Sequence, residues 1–452
     1  MKRPWPAHGR RCRPRPRLLS DVIAALATPP GRSALALIRV SGRDAFAIAA
    51  RCLEPFHSTP RAVFRARLQH PDCGEAIDEC LAASFPAPHS YTGENVVEIS
   101  THGGLLVPAA ALAALVTAGA RLATPGEFTR RAVLNGKMDL LQAEATADLI
   151  DAGSPAQRRR ALQQLERGLS DRLTILRAEI LELEALIAYD IDFPEEDEGP
   201  VSPERVRGAW DVVRGRIAEL LRTAPEGERL REGALLVIAG RPNAGKSSLF
   251  NALLGTERAI VTEIPGTTRD AIEAHAVIEG FPFRLVDTAG LRDAGERVER
   301  LGIEVSKKYL AAADLVLYCE DRDDPSRAAF LAQVSAPVVV VKTKADLSGA
   351  GVSTVTGQGL PELRRQLAEV AFGRLLALGD VEPVVTRARH RAALARGLAE
   401  LEAFWDARTR GVDAAATATH LRAAVLVLDD LIGAVTPDDV LDRVFAAFCV
   451  GK

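Results

Sequence analysis

A glycine-rich loop is the part of this sequence whose residue types and spacing indicate a specific chemistry. Residues 240–247 read Gly-Arg-Pro-Asn-Ala-Gly-Lys-Ser, which matches G-x-x-x-x-G-K-[ST], and they follow the apolar run 235–239. In such a loop the glycines let backbone N–H groups wrap phosphates at a helix N-terminus, while Lys246 reaches the β- and γ-phosphates and Ser247 ligates Mg²⁺. The loop therefore predicts a nucleoside triphosphate site.

Later segments supply the remaining parts of a nucleotide site. Residues 287–290 (Asp-Thr-Ala-Gly) end a second apolar run, so the acid can bind Mg²⁺ through water and the glycine N–H can sense the γ-phosphate. Residues 266–270 (Gly-Thr-Thr-Arg-Asp) indicate a switch loop whose threonine completes the magnesium shell. Asp346 can accept hydrogen bonds from guanine N1 and N2, and a backbone N–H at Ser353 or Thr354 can meet guanine O6.

This ordered set predicts a GTPase domain that binds GTP and GDP with Mg²⁺. The expected Mg²⁺ ligands are Ser247 and Thr268. The predicted GTP-binding residues are Asn243, Ala244, Gly245, Lys246, Ser247, Ser248, Thr262, Glu263, Ile264, Pro265, Gly266, Thr267, Thr268, Asp287, Thr288, Ala289, Gly290, Thr343, Lys344, Asp346, Ser353 and Thr354.

The base-reading segment departs from its usual pattern at one position. GTPases of this type carry N-K-x-D, whereas this chain has Thr343 in place of the asparagine, followed by Lys344, Ala345 and Asp346. Asp346 should preserve guanine selectivity, but a hydrogen bond from position 343 to the base or to the phosphate loop is put in doubt. We expect nucleotide affinity to be weaker by about 1 kcal/mol, the net contribution of one hydrogen bond.

Composition and charge restrict the class of protein. At ~150 residues per domain, a chain of 452 residues has room for about three domains. The net charge is −3, but residues 1–20 contribute +7 and the remaining 432 residues contribute −10, so nucleic-acid binding by the folded body needs a local basic patch.

The six cysteines form no C-x-x-C pair, which indicates reduced thiols of a cytoplasmic protein. The uncharged run 103–120 contains Pro108 and predicts a buried helix rather than a membrane span.

The distribution of apolar runs, Gly/Pro turns and helical periodicity predicts four segments after a basic tail. We expect residues 1–20 to be disordered, with an organelle transit peptide as the alternative. Residues 21–136 mix short apolar runs with Gly/Pro turns and predict an α+β domain, and 137–230 predict helices that include an apolar stripe from Leu165 to Ile187. Residues 231–375 alternate strands and helices, which indicates a parallel sheet, and 376–452 are helical again. The expected fold is an α/β P-loop domain inserted into a discontinuous helical domain.

Motifs along nearly the whole chain resemble the MnmE (TrmE) family of tRNA modification GTPases. In the GTPase segment they are residues 240–248, 259–270 and 287–292. Motifs outside it are more specific to the family: ATPPGR at 27–32, SYTGE at 90–94, HGG at 102–104, PGEFT at 125–129, LNGKMD at 134–139 and FCVGK at 448–452.

The resemblance implies a folate-dependent enzyme that acts on tRNA. Family members bind a tetrahydrofolate derivative (5-formyl- or 5,10-methylene-tetrahydrofolate) in an N-terminal domain that forms a homodimer. With an FAD-dependent partner protein, in an expected heterotetramer, they add an aminomethyl-type group to C5 of the wobble uridine, with glycine or ammonium as the amine donor. The resemblance assigns folate contacts to Arg39, Glu98, Lys137 and Lys452, each of which would otherwise be interpreted as a surface or ion-paired residue.

The resemblance also implies K⁺-stimulated hydrolysis when two GTPase domains meet. Asn243 is the expected side-chain K⁺ ligand, with Thr262, Ile264 and Thr267 beside it. An oxygen cage of this kind puts positive charge between the β- and γ-phosphates, as an arginine finger does elsewhere. Glu299 matches the family's water-orienting acid, although a Glu among arginines is otherwise typical of a solvated helix face.

Cys449 has two interpretations. A lone cysteine beside Phe445 and Phe448 is ordinarily a buried apolar thiol. The resemblance instead implies an exposed thiol near the folate that acts as nucleophile or acid–base group. The competing function for the whole chain is an RNA-binding ribosome-assembly GTPase without folate chemistry, which the motifs before residue 140 and the terminal cysteine disfavour.

Overall fold

The computed structural model describes residues 21–192, 201–255, 273–287, 307–379, 382–433, 438–446 and 448–451. The chain divides into two compact units, which within these ranges comprise residues 21–143 with 438–451 and residues 144–433. Among the described residues, no helix is both long and apolar enough to cross a membrane.

The first unit contains a seven-stranded sheet in the order β3-β4-β5-β6-β2-β1-β7. Its neighbouring strands are antiparallel except for β1 with β7. The strands are β1 Ile23–Leu26, β2 Gly31–Ser41, β3 Leu53–Glu54, β4 Val63–Gln69, β5 Ala76–Phe85, β6 Val96–Gly104 and β7 Arg121–Leu122. The expected strands near 34–40 and 96–99 are therefore confirmed.

The two faces of this sheet have different surroundings because side chains alternate along a strand. On β2, Ala36, Ile38 and Val40 are buried, and Ile38 and Val40 form a core with helices α1 (Ala45–Cys52) and α2 (Leu106–Thr117). The opposite face carries exposed apolar side chains, among them Leu35 near the start of β2, which is 62% exposed. Helix α3 (Glu127–Leu134) contributes Phe128, which packs against β1 on that opposite face.

The second unit contains a five-stranded sheet in the order β12-β11-β8-β10-β9. The strands are β8 Ala234–Gly240, β9 Glu273–Ile278, β10 Phe281–Asp287, β11 Leu315–Glu320 and β12 Val338–Lys342. Residues 234–239 of the central strand β8 are all buried, as expected for a strand covered on both faces. The predicted parallel sheet is confirmed for four strands, while the edge strand β9 pairs with β10 in the antiparallel direction.

Helices complete the described part of the chain. They are α4 Leu140–Asp151, α5 Pro155–Leu165, α6 Gly168–Asp192, α7 Pro203–Glu232, α8 Lys246–Leu254, α9 Arg327–Leu331, α10 Ala345–Ser348, α11 Leu360–Leu378, α12 Ala388–Thr409, α13 Ala414–Ile432 and α14 Asp438–Ala446. The predicted apolar stripe lies on α6, where its members from Leu169 to Ile187 are buried, but Leu165 belongs to α5.

Helices that precede and follow the α/β segment in sequence contact each other. The Trp210 indole N–H on α7 donates to the Leu401 carbonyl on α12 at 2.8 Å, and Arg177 on α6 pairs with Asp429 on α13 at 2.5 Å. The last helix, α14, belongs instead to the first unit, as do residues 137–143. The chain is thus divided differently from the expected segments 137–230 and 376–452.

Candidate functional site

The phosphate-type loop connects β8 to α8 and requires glycine where the chain passes another strand. A Cβ on Gly240 would lie 2.2 Å from the Cys319 carbonyl oxygen of β11, and the Gly240 φ is +138°. Asn243 and Gly245 also have positive φ values, +63° and +83°. These conformations turn the backbone sharply into the N-terminus of α8, which is the place where such loops hold phosphate.

The loop lysine and serine are both held in place. Lys246 is 7% exposed and its Nζ donates to the Arg241 carbonyl at 2.7 Å. The Ser247 hydroxyl donates to Oδ2 of Asp287, at the end of β10, at 2.7 Å. The fold therefore places the loop serine beside the aspartate that sequence analysis assigned to the Mg²⁺ environment, since β8 and β10 are neighbouring parallel strands.

Thr343 connects the base-reading segment to the phosphate loop. Its N–H donates to the Glu320 carbonyl at 2.8 Å, and its Oγ1 donates to the Ala244 carbonyl at 2.7 Å. Threonine thus makes the phosphate-loop hydrogen bond that the sequence put in doubt, because its hydroxyl reaches the loop backbone. The expected weakening of nucleotide affinity remains a prediction.

The predicted base-contacting residues follow β12, with Asp346 on the short helix α10 and Ser353 on the loop after it. The Ser353 hydroxyl donates to Oδ1 of Asp346 at 2.8 Å and so orients that carboxylate. The Ser353 N–H donates to the Gln358 carbonyl at 3.0 Å, which leaves the expected contact with guanine O6 to the backbone N–H of Thr354. In this structure Ser353 therefore contacts the predicted base-reading carboxylate through its side chain, while its backbone N–H is used within the loop.

Lys344 has a partner that sequence reasoning missed. Its backbone has a φ of +58°, and its Nζ pairs with Asp321 Oδ2 at 2.7 Å. The Lys344 hydrogen bond lowers the pKa of the Asp321 carboxyl. Asp321 directly follows β11, the strand next to β8. An acid at the carboxyl end of such a strand could have indicated this partner of Lys344.

Several predicted site residues lie outside the described part of the chain. They are Thr262, Glu263, Ile264, Pro265, Gly266, Thr267, Thr268, Thr288, Ala289, Gly290, Glu299 and Lys452.

A second candidate site lies in the first unit, where the neighbouring strands β2 and β6 pair. Arg39 and Glu98 are directly paired in register, and the Arg39 NH2 group bonds Glu98 Oε1 at 2.7 Å. The Arg39 guanidinium also lies over two rings, 5.2 Å from the centroid of Tyr91 and 5.7 Å from that of Phe128. Its NH1 group donates to the Gly451 carbonyl at 3.4 Å, so the end of the chain contacts this site.

Two other predicted residues of this site have defined surroundings. The Lys137 Nζ donates to the Pro88 carbonyl at 2.9 Å, and its side chain lies against Gly93, two residues after Tyr91. Cys449 is exposed, and its carbonyl accepts a hydrogen bond from the Gly126 N–H at 3.3 Å. The interpretation of Cys449 as a buried thiol is therefore wrong.

Sequence reasoning also missed a buried arginine in the same unit. Arg131 on α3 is 2% exposed and bonds Asp21, Glu94 and Glu127. Glu94 in turn accepts from Ser41 at 2.8 Å. The charged residues near 90–94 and 125–131 signalled such a network, but their pairing depends on contacts between distant segments.

The phosphate-type loop and the base-reading segment, taken with the order of the five-stranded sheet, define a P-loop protein of the guanine-nucleotide-binding class. Two family models match the chain: "MnmE helical domain" over residues 140–449 and "GTP-binding protein TrmE N-terminus" over residues 22–137. The chain belongs to the MnmE family of tRNA modification GTPases.

Relatives along the full length agree with this assignment. The tRNA modification GTPase MnmE of Moorella thermoacetica is 41% identical over 96% of this chain and 100% of its own length. The proteins of the same name from Salinibacter ruber and Laribacter hongkongensis are each 42% identical over 96% of this chain and 99% of their own. Among solved structures, the G domain of the T. maritima FeoB iron transporter covers 30% of this chain and 98% of its own at 28% identity, with a TM-score of 0.23.

Proposed function

We propose that this GTPase acts in tRNA modification by installing an aminomethyl-type group at C5 of the wobble uridine, U34. It would use a tetrahydrofolate one-carbon unit and an FAD-dependent partner. The observation that carries the proposal is the group formed by Arg39, Glu98 and two aromatic rings beside the cysteine-bearing chain end, in a chain of this family. Mass spectrometry of wobble nucleosides in tRNA from a strain lacking the protein tests it, and unaltered nucleosides would contradict it.

The cations of the GTP site have suitable donors in this chain. The Ser247 hydroxyl and Asp287 carboxylate lie 2.7 Å apart, and oxygen donors of this kind suit Mg²⁺, with Thr268 as a further ligand. The exposed Asn243 amide is proposed for K⁺, together with Thr262, Ile264 and Thr267. When bound, K⁺ supplies positive charge beside the phosphates.

Glu299 is proposed to orient the attacking water. Replacing it by alanine should keep GDP binding but lower K⁺-stimulated GTP turnover at least about tenfold, in keeping with loss of a positioned base. Glu362→Ala on α11, an exposed position paired with Arg365, is the matched control. Turnover in Glu299→Ala equal to that of the control would contradict this role.

The folate site is tested by binding rather than by turnover. A carboxylate can pair with the amino-pyrimidine edge of a pterin, while guanidinium and ammonium groups suit its glutamate carboxylates. Glu98→Gln should weaken retention of labelled 5-formyltetrahydrofolate by about tenfold or more. Glu79→Gln provides the control, since Glu79 pairs with Arg65 on the same sheet.

The outcomes of this experiment also separate the two functions. If the wild-type protein binds GDP but retains no folate, the ribosome-assembly alternative gains support. Equal retention by Glu98→Gln and Glu79→Gln would remove Glu98 from the folate site.

Cys449 is proposed to act in the modification step and not in GTP hydrolysis. Its exposure and the contact of its backbone with Gly126 place the thiol at the surface of the first unit. Cys449→Ser should abolish wobble modification while GTP turnover stays unchanged. Cys73→Ser, at another exposed cysteine of that unit, is the control, and wild-type modification by Cys449→Ser would exclude the role.

A homodimer is proposed to form through the open sheet face of the first unit. Leu35, Val63 and Leu81 share that face and are 62%, 67% and 51% exposed. Burial of such a patch favours association. Leu81→Glu should therefore shift the sedimentation of the protein from dimer to monomer, and an unchanged mass would contradict this interface. The FAD-dependent partner and tRNA would bind the dimer in the cytoplasm.

A further inference from the structure

Thr343 holds three backbone segments together at the base of the nucleotide site. It is 5% exposed, its N–H donates to Glu320, and its hydroxyl lies 2.7 Å from the Ala244 carbonyl oxygen. The Glu320 carbonyl is a second acceptor at 3.3 Å. Both neighbours of the hydroxyl are carbonyl oxygens, which cannot donate, so the hydroxyl must be the donor.

A threonine hydroxyl has one hydrogen, whereas an asparagine amide has two N–H hydrogens and an oxygen. Asparagine at this position can therefore bond the loop carbonyl and still donate to a second acceptor. The single hydrogen of Thr343 is already used inside the protein, on Ala244.

Guanine presents its groups to this site on two sides. The N1 and N2 donors suit the carboxylate of Asp346, which Ser353 orients. On the other side are two acceptors, O6 and N7. The Thr354 N–H can serve one of them, and the second would need a donor from position 343.

We propose that Thr343 donates no hydrogen bond to guanine N7, so that this site recognises the base through N1, N2 and O6 alone. The GTPase should accept a guanine nucleotide in which N7 is replaced by carbon as readily as GDP itself. This specificity rests on the guanine-nucleotide site described above and goes beyond it, because it concerns one acceptor of the base.

The test compares the dissociation constants of GDP, 7-deaza-GDP and inosine diphosphate by calorimetry in the presence of Mg²⁺. The full-length wild type should bind 7-deaza-GDP within about twofold of GDP, since no net hydrogen bond is lost. Thr343→Asn should bind 7-deaza-GDP about three- to tenfold more weakly than GDP, because its amide adds a donor for N7. Inosine diphosphate should bind both proteins more weakly than GDP, since it lacks the N2 donor.

Three further variants separate recognition of N7 from effects on the loop. Thr343→Val removes the hydroxyl without adding a donor, so all three nucleotides can weaken together while the ratio of 7-deaza-GDP to GDP stays near one. Thr343→Ser keeps the hydroxyl and should keep the ratio of the 7-deaza-GDP and GDP dissociation constants near one. Thr419→Asn makes the same change on α13, where the Thr419 hydroxyl also donates to a backbone carbonyl, and should leave every ratio unchanged.

Discrimination against 7-deaza-GDP by the wild type, or its absence in Thr343→Asn, would overturn the proposal. Those outcomes leave GDP binding intact, so they differ from failure of the nucleotide site itself, in which the wild type would bind no GDP.

Discussion

The buried carboxylate of Glu127 should make the stability of the first unit depend on pH. Glu127 is 4% exposed and accepts hydrogen bonds from Arg121 at 2.5 and 2.8 Å, from the Thr124 N–H at 2.9 Å and from Arg131 at 3.0 Å. Burial alone would raise the pKa of Glu127, but these hydrogen bonds outweigh it and lower the pKa from 4.5 to about 2.

The size and sign of the effect follow from this shift. A difference of about 2.5 pKa units corresponds to about 3 kcal/mol in the free energy of unfolding. Because the folded-state pKa lies below the unfolded one, the contribution is present above pH 5 and is lost as pH falls through the range 4.5 to 2. By linkage, about 2 kcal/mol of it is gone at pH 3.

Hydrogen exchange followed by mass spectrometry can measure this locally. The opening free energy of peptides covering residues 121–135 is compared at pH 7 and pH 3, after correction for the intrinsic exchange rates. Glu127→Gln should lower that free energy at pH 7 by about 3 kcal/mol and lose most of the difference between the two pH values. Glu79→Gln, at an exposed carboxylate of β5, should behave as wild type. Equal pH dependence in Glu127→Gln and wild type would refute the reasoning.

Three other predictions concern the second unit. Gly240→Ala should lower GDP affinity at least about tenfold in a calorimetric titration, since its Cβ would lie 2.2 Å from the Cys319 carbonyl oxygen. The control is Gly208→Ala on α7, where a Cβ meets nothing within 4 Å. This control should keep GDP affinity and gain up to about 1 kcal/mol in stability. Ser247→Ala should abolish the increase in GDP affinity on adding Mg²⁺, and a retained Mg²⁺ effect would argue against this ligand. Trp210→Phe should cost about 1 kcal/mol in urea denaturation and reduce near-UV dichroism, because the indole loses a 2.8 Å hydrogen bond and its stacking at 4.9 Å on a second tryptophan.

Local sequence was sufficient to predict the phosphate loop, the parallel strands and the long helix α6. Each depends on short-range rules: glycines where the backbone must turn, continuous apolar runs in strands covered on both faces, and apolar residues every three or four positions along a helix. The antiparallel edge strand β9 escaped prediction, because the direction of pairing depends on where the connecting chain runs.

Sequence identified many residues of the candidate sites, but it did not predict the contacts that these residues make. Arg39 and Glu98 were named from motifs, but the rings of Tyr91 and Phe128 reach the guanidinium only when β2, α3 and the connection between β5 and β6 come together. Arg131 was missed for the same reason, since its partners Asp21 and Glu94 lie on segments far from α3, which carries the third partner, Glu127.

The sequence by itself predicted a phosphate-binding loop at residues 240–247 and placed the chain among GTPases, because spacing within a short loop sets which backbone N–H groups converge. Only the tertiary structure decided that Cys449 is exposed, that α14 joins the first unit, and that the Thr343 hydroxyl is used on Ala244. Each of these depends on the approach of residues far apart in the chain. A single hydroxyl hydrogen can satisfy one acceptor, and only the folded chain selects which one.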